Sequence, residues 1–334
     1  MLASGRMGPG ALVIIGCGWI ARRHAAAARR LGIPLVFASR DLGRARAYAK
    51  RFGALDAFGS YEEALGDPRA RAAVICTPHD RHLPDTLLAL ARGRHVLVEK
   101  PMARTLDEAD RLIAAAAAAG RVLMVAENFH FMPAFRHVRS LVATGRVGDL
   151  RELHLVARGF RRHAGWRLAG DPMGGGTLID GGVHYVHNLR AWAGEVRRVF
   201  ALRPPQTITD MAGEDTVSLL AELPGGVVGF LSNSLGTPGV PRFQSSRVMG
   251  TVATCVAENR GRFVALHGTR GFRFWLFRRD LRGHEGMLGA FWRAIARGLA
   301  GPLEMDGREG RRDLAVVLAA YRSIAEGRPV DVQC

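Results

Sequence analysis

Short, wholly apolar runs alternate with longer amphipathic stretches through the first 126 residues. Ala11 to Ile15, Leu35 to Ala38, Ala72 to Cys76, His95 to Glu99 and Val122 to Ala126 are unbroken enough to be strands buried on both faces. Between them, the Ala/Arg stretch up to Leu31, Leu42 to Phe52, Pro84 to Arg92 and Leu106 to Ala119 carry helical spacing. Strand and helix in turn imply a parallel sheet with crossover helices, and a doubly wound domain of six strands is expected, five of which these runs mark.

The texture changes after Asn128. A helix near Ala134 to Ala143 and a strand at Leu150 to Arg158 lead to a polar loop, a glycine run and another helix. Strands then dominate, at Thr216 to Leu223, Val227 to Leu231, Val252 to Glu258, Arg262 to His267 and Phe272 to Phe277, with turn signals at Pro224-Gly225-Gly226 and Gly268 to Gly271. Helices at Glu285 to Leu299 and Gly310 to Ala325 close the chain. The expected class is α/β, with a dinucleotide-binding Rossmann domain over 1–127. An α+β domain with a mostly antiparallel open sheet, serving substrate and oligomer contacts, is expected over 128–334.

With 334 residues and 48% hydrophobic content, the chain can fill two cores. No run of 18 apolar residues is present and the stretch Met1 to Gly10 lacks the features of a signal peptide, so a cytoplasmic protein off the membrane is expected. Cys17, Cys76, Cys255 and Cys334 show no paired spacing, which points to reduced thiols. A formal charge of +17 suits phosphate. Its arginines are spread rather than blocked and no nucleic-acid motif accompanies them, so a basic funnel for an anionic cofactor or substrate is expected in place of nucleic acid. Lys50 and Lys100 are the only lysines. A compact ammonium with a tunable pKa does what arginine cannot, which draws attention to Lys100; Lys50 sits in a solvated helix.

Gly16-Cys17-Gly18-Trp19-Ile20-Ala21 follows the first strand and opens a helix. Gly16 permits the tight turn, Gly18 lets backbone approach a pyrophosphate, and Ala21 allows close helix packing. The acidic residue expected about 20 positions later to bind a ribose 2′-hydroxyl is replaced by Ser39 and Arg40. A hydroxyl and a guanidinium can hydrogen-bond a 2′-phosphate, so NADP is expected over NAD. The alternative has Asp41 turning back to the ribose.

These motifs, with Thr77-Pro78 and His82, the V-L-V-E-K-P run of Val96 to Pro101, and the G-G-G-T-L-I-D-G-G-V-H run of Gly174 to His184, make the chain resemble the glucose-fructose oxidoreductase, inositol dehydrogenase and rhizopine catabolism (Gfo/Idh/MocA) family over nearly its whole length. Lys100 stands just past the carboxyl end of a strand, the edge where ligands of parallel sheets bind. The resemblance implies that Lys100 hydrogen-bonds the reacting oxygen and that the peptide before Pro101 is often cis.

Asp180 and His184 are four apart with helical spacing, so their side chains can meet. By resemblance His184 is the general acid/base and Asp180 its support. His187 stands where relatives commonly carry aspartate and is assigned to substrate contact or packing. Asp180, His184 and His187 on one face could ligate a metal, but hydride transfer needs none and no metal is expected. Thr77 and Pro78 are expected to wall the nicotinamide side, His79 and His82 to be local structure or cofactor contacts, and Glu99 and Asn128 to touch the cofactor or Lys100. The run Gly174 to Gly176 would let backbone pass close to a ligand. Arg161, Arg162 and His163, with Trp166 and Arg167, lie in a loop where a substrate role is plausible, and the arginines hint at an anionic substrate.

The resemblance implies hydride transfer between a nicotinamide and a hydroxyl or keto group of a sugar, keto-sugar or cyclitol, in a homodimer or homotetramer. Redox-neutral glycoside cleavage on the same fold, or a non-catalytic nucleotide sensor, remain as alternatives.

Overall fold

The computed structural model describes residues 10–238, 244–269, 271–298 and 302–333. The expectations placed on Met1 to Pro9, Leu299 and Cys334 lie outside the described residues. Two compact units are present, one formed by Met1–Ala126 with His284–Arg311, the other by Glu127–Gly283 with Arg312–Cys334. The single cut expected after residue 127 thus falls one residue late, and a later segment returns to the first unit.

In the first unit, β1 (Ala11–Ile15), α1 (Ala21–Arg30), β2 (Leu35–Ala38), α2 (Leu42–Phe52), β3 (Asp56–Phe58), α3 (Tyr61–Gly66), β4 (Ala70–Ile75), α4 (His79–Ala91), β5 (His95–Val98), α5 (Leu106–Ala119) and β6 (Leu123–Val125) follow in turn. The six strands form a parallel sheet in the order β3-β2-β1-β4-β5-β6, with the switch point between β1 and β4. Every residue of β1, β2 and β6 is buried, which explains their unbroken apolar runs. Helix starts are written locally: Asp41, Ser60 and Thr105 cap α2, α3 and α5 by accepting the N–H three residues on. Helix α4 begins five residues before Pro84, earlier than expected, and carries that proline inside it.

The second unit opens with α6 (Asn128–Phe131), α7 (Pro133–Ala143), β7 (Leu150–Arg158), α8 (Gly170–Met173), a π-helical turn at Leu178–Gly182 and α9 (Val183–Ala193). Strands β8 (Arg198–Leu202), β9 (Thr216–Glu222), β10 (Val228–Ser234), β11 (Ser245–Gly250), β12 (Ala253–Glu258), β13 (Phe263–Gly268) and β14 (Gly271–Leu276) follow. The chain ends with α10 (His284–Arg297), α11 (Gly307–Glu326) and β15 (Val330–Asp331). The nine-stranded sheet runs β14-β13-β12-β11-β7-β10-β9-β8-β15, antiparallel in every pairing except β7 with β10. Helices α7 and α9 pack on one face. On the other, Leu202, Leu220, Val228, Phe272, Phe274 and Leu276 are exposed. Among the described residues no helix is long and apolar enough to cross a membrane.

Candidate active site

The turn between β1 and α1 needs glycine. Gly16 has a φ of +90°, and a Cβ there would stand 3.0 Å from the Cys76 carbonyl oxygen and 3.2 Å from Thr77 Cγ2. A Cβ on Gly18 would meet nothing within 4 Å, so this backbone faces open space. Helix α1 has Ile20 at its cap position, so it begins without a side-chain cap, and its first turn holds no acidic residue. Its unclaimed N–H groups and positive dipole end suit a diphosphate. Thr77 is buried, and its Oγ1 has no hydrogen-bond partner among the described residues; a hydroxyl in that position ordinarily has one. Open space, bare helix end and idle hydroxyl together fit a dinucleotide. Tyr48, which sequence reasoning passed over, donates to the Gly18 carbonyl at 3.0 Å and accepts from Arg22 Nε at 3.0 Å, bracing the loop. Trp19 projects from it, 61% exposed, with the Arg23 guanidinium 5.3 Å from its ring.

At the end of β2, Ser39 is buried and its Oγ accepts the Asp41 N–H at 3.3 Å. Asp41 Oδ1 accepts the Arg44 N–H at 3.0 Å, so the nearest carboxylate is engaged in capping α2. Arg40 is exposed beside it.

Lys100 follows β5 and is half-buried; its bond to Pro101 is cis. Glu99 reaches Lys100 through the backbone, accepting its N–H at 3.2 Å, and bonds His24 Nε2 at 2.7 Å. Burial alone would raise the Glu99 pKa, but the His24 hydrogen bond and charge, with Lys100 behind them, hold it down to about 2. Glu99 is therefore a buried anion beneath the lysine. His82 takes the structural one of its two expected roles, not the cofactor contact. Its ring is buried, with Nδ1 2.8 Å from the Pro101 carbonyl and Nε2 3.0 Å from the Thr77 carbonyl. It joins the ends of β4 and β5, and burial keeps its pKa below the ordinary histidine value. Pro78 takes the cap position of α4 without a side-chain bond.

In the second unit, His184 lies in the first turn of α9, directly after the π turn, a feature that often marks functional sites. Its Nδ1 is 2.7 Å from Glu127 Oε1 and 2.9 Å from Oε2, and its ring stacks on Phe129 with centroids 4.3 Å apart. Glu127 is 1% exposed and also accepts the Phe129 N–H at 3.0 Å. The carboxylate assigns the proton to Nδ1, leaving Nε2 without a protein partner among the described residues. This corrects the pairing expected from spacing: the acid on His184 is Glu127. Asp180 Oδ2 instead accepts from Arg167 Nε at 3.0 Å and lies 3.8 Å from His163 Nε2. Helical spacing determines which residues share a face, not which of them touch.

Packing alone already requires glycine in this run. A Cβ on Gly176 would stand 2.1 Å from the Glu214 carbonyl oxygen, and one on Gly175 would stand 2.5 Å from Tyr321 Oη. Tyr321 Oη accepts the N–H groups of Gly176 at 3.1 Å and Ile179 at 3.2 Å and donates to Glu214 at 3.0 Å, holding the start of the π turn.

His187 is 2% exposed, which fits the packing role of its two expected roles and not the substrate contact. Its Nδ1 bonds Asp313 Oδ2 at 3.0 Å and its Nε2 lies 2.9 Å from His130 Nδ1. Arg190 donates to the other Asp313 oxygen. Burial opposes charge on His187, yet Asp313 outweighs it and raises the pKa above the ordinary value. Asp180, His184 and His187 thus each meet a different protein partner. Trp166 is anchored against Met173, Ile208 and Met211 and carries the Arg167 guanidinium 4.4 Å from its ring. Arg162 is exposed on the same loop. Asn128 Nδ2 donates to the Arg282 carbonyl at 2.7 Å.

Comparison with known proteins bears on both units. Residues 11–127 match the oxidoreductase family described as an NAD-binding Rossmann fold, and residues 135–271 match the GFO/IDH/MocA C-terminal domain. The chain is 35% identical over 213 residues to trans-1,2-dihydrobenzene-1,2-diol dehydrogenase of Mus musculus, a match covering 61% of this chain and 60% of that protein. It is 36% identical over 187 residues to 1,5-anhydro-D-fructose reductase of Ensifer adhaerens, covering 53% of this chain and 54% of that one. Among solved structures, levoglucosan dehydrogenase in complex with NADH superposes with a TM-score of 0.88 at 20% identity over 97% of this chain and 99% of that one, which speaks for the fold alone. Both halves carry the marks of one lineage, and the chain belongs to the GFO/IDH/MocA family of NAD(P)-binding oxidoreductases.

Proposed function

We propose that this chain is an NADP-dependent oxidoreductase that moves a hydride between the nicotinamide and a hydroxyl or keto group of a sugar, keto-sugar or cyclitol. The observation that carries this reading is His184, held through Nδ1 by the buried Glu127 and stacked on Phe129, with Nε2 left for substrate. An imidazole oriented in this way takes a hydroxyl proton in oxidation and returns it in reduction, while the carboxylate stabilises its cation. Gly16, Gly18, Trp19, Ile20, Thr77 and Pro78 would hold the dinucleotide, whose nicotinamide supplies or accepts the hydride. Ser39 and Arg40 would meet a 2′-phosphate, a reading supported by the engagement of Asp41 in its helix cap. Lys100 donates to the reacting oxygen, and the Glu99 anion steadies the turn that presents it. Asp180, Arg167, Trp166 and Arg162 form the substrate side.

The relatives named as a diol dehydrogenase and an anhydro-sugar reductase support a polyhydroxylated or keto substrate. The open face of the nine-stranded sheet, with its exposed apolar residues, supports a homo-oligomer built on that face. The test is a screen for NADPH consumption and NADP reduction with sugars, keto-sugars, cyclitols and their phosphorylated forms. Stoichiometric cofactor turnover that is lost in His184→Ala is the expected result. Product formation without net cofactor change would defeat the reading.

A further inference from the structure

The parallel sheet has a second charged edge, at the amino ends of its strands and opposite the glycine turn. Residues at the starts of β1, β4 and β5 and just before β2 and β6 border a cleft of about 640 Å³. Arg69, Arg71, Arg94, His95 and Arg121 line it, and among the described residues no carboxylate does. Arg69 is matched by Asp67 at 2.6 Å and Asp56 at 2.9 Å. Arg94 differs, because its donors go to the carbonyl oxygens of Leu65 at 2.9 Å, Ala70 at 2.5 Å and Asp67 at 3.4 Å, which occupy its N–H groups without neutralising its charge. Arg121 donates from Nε to the Gly93 carbonyl at 2.7 Å and from Nη1 to the Gly120 carbonyl at 3.3 Å, leaving Nη2 without a protein acceptor among the described residues.

His95 completes the cleft. Its Nδ1 accepts the Val122 N–H at 3.1 Å, so the neutral ring carries its proton on Nε2, and that donor also has no protein acceptor among the described residues. Burial, with Arg121 and Arg71 nearby, pushes the His95 pKa down to about 4. Burial and Arg121 likewise lower that of Arg94. Like charges crowded into a half-buried cleft, with two donors idle, are the electrostatic condition that an anion relieves.

We propose that this cleft is a second anion site, separate from the cofactor cradle, that takes a phosphate group through Arg121 Nη2 and His95 Nε2 in the field of Arg71 and Arg94. Phosphate suits it better than a carboxylate, since donors arriving from different elements match a tetrahedral dianion with several acceptor oxygens. The ligand is free phosphate or a small phosphate ester.

The test follows the His95 Cε1 proton by NMR while inorganic phosphate or glycerol 3-phosphate is titrated into the full chain, with and without saturating NADP. Potassium chloride at equal ionic strength is the control. The expected result is a saturable shift and an upward move of the His95 titration, both independent of NADP. Arg71→Gln and Arg121→Lys should each weaken binding by about tenfold, the worth of one charge-assisted contact. Tighter binding of the ester marks a metabolite and tighter binding of inorganic phosphate marks the free ion; either upholds the site. An unmoved His95 signal, an equal response to chloride, loss of the response when NADP is present, or wild-type binding in both variants would overturn it. The wild-type His95 signal and the NADP comparison keep the test decisive even if Arg121→Lys disturbs the two glycine carbonyls it ties.

Discussion

Glu127 Oε1 lies 2.7 Å from His184 Nδ1, and it is this acid, 57 residues away in sequence, that orients the ring. Its environment sets the size of its effect. A carboxylate with 1% exposure has little water to share its charge, so its partner feels most of it.

Glu127→Gln should therefore lower kcat by about 100-fold or more with little change in KM, the scale on which positioned acid/base groups act. Asp180→Asn should act mainly through KM, because that carboxylate is bonded to Arg167 on the loop proposed to meet substrate. Steady-state kinetics of the two variants side by side check the assignment, and a kcat loss confined to Asp180→Asn would reverse it.

Lys100→Met should abolish most turnover, by about 100-fold to 1,000-fold, the cost of losing one donor aimed at the reacting oxygen. Lys100→Arg should not restore it, since a planar fork does not replace a point ammonium. Dinucleotide affinity measured by fluorescence titration should be nearly unchanged in both.

Cofactor choice tests the end of β2. Arg40→Ala should weaken NADP binding by about 10-fold to 100-fold while leaving NAD within about threefold, since only the former loses a charge-assisted bond. Tighter binding of NAD than NADP by the unaltered chain would remove the basis for this expectation.

The buried pair of His187 and Asp313 makes stability depend on pH in a defined direction. His187 is raised above its ordinary 6.5, with Asp313 outweighing burial, so its contribution is full below 6.5 and fades as pH climbs through the folded value. Asp313 is lowered beneath its ordinary 3.8 because His187 and Arg190 together outweigh burial; its contribution is present above 3.8 and fades as pH falls through the folded value. Chemical denaturation should show the advantage of wild type over His187→Gln largest between about pH 4 and 6.5 and shrinking toward about pH 9. Asp313→Asn, which takes from buried Arg190 one of its two carboxylates and leaves Glu195, should cost about 1–3 kcal/mol.

The Rossmann layer was legible because strands buried on both faces are written as continuous apolar runs. The three residues of β3 escaped notice since Asp56 is exposed and its two neighbours are only half-buried. Strands β8 and β11 were missed for a related reason: exposed residues at both ends of the five-residue β8, and polar residues such as Ser245, Ser246 and Arg247 in β11, dilute the alternation. The π turn was read as ordinary helix because its spacing is nearly the same over a few residues. Glu127 had only one available signal, its place at the end of β6, which repeats that of Glu99 at the end of β5. No periodicity reports which buried acid a histidine will choose. His82 and His187 were credited with ligand contacts because composition near a motif suggests them, whereas burial shows their ring nitrogens already engaged.

The return of residues His284–Arg311 to the first unit bears on how the chain is made. Helix α10 covers α1, and His284 sits edge-on to the fully buried His24 with ring centroids 6.1 Å apart. A ribosome that has released the six strands has not yet delivered this covering layer. The outer layer of the first unit is thus completed by residues that follow nearly all of the second unit in sequence.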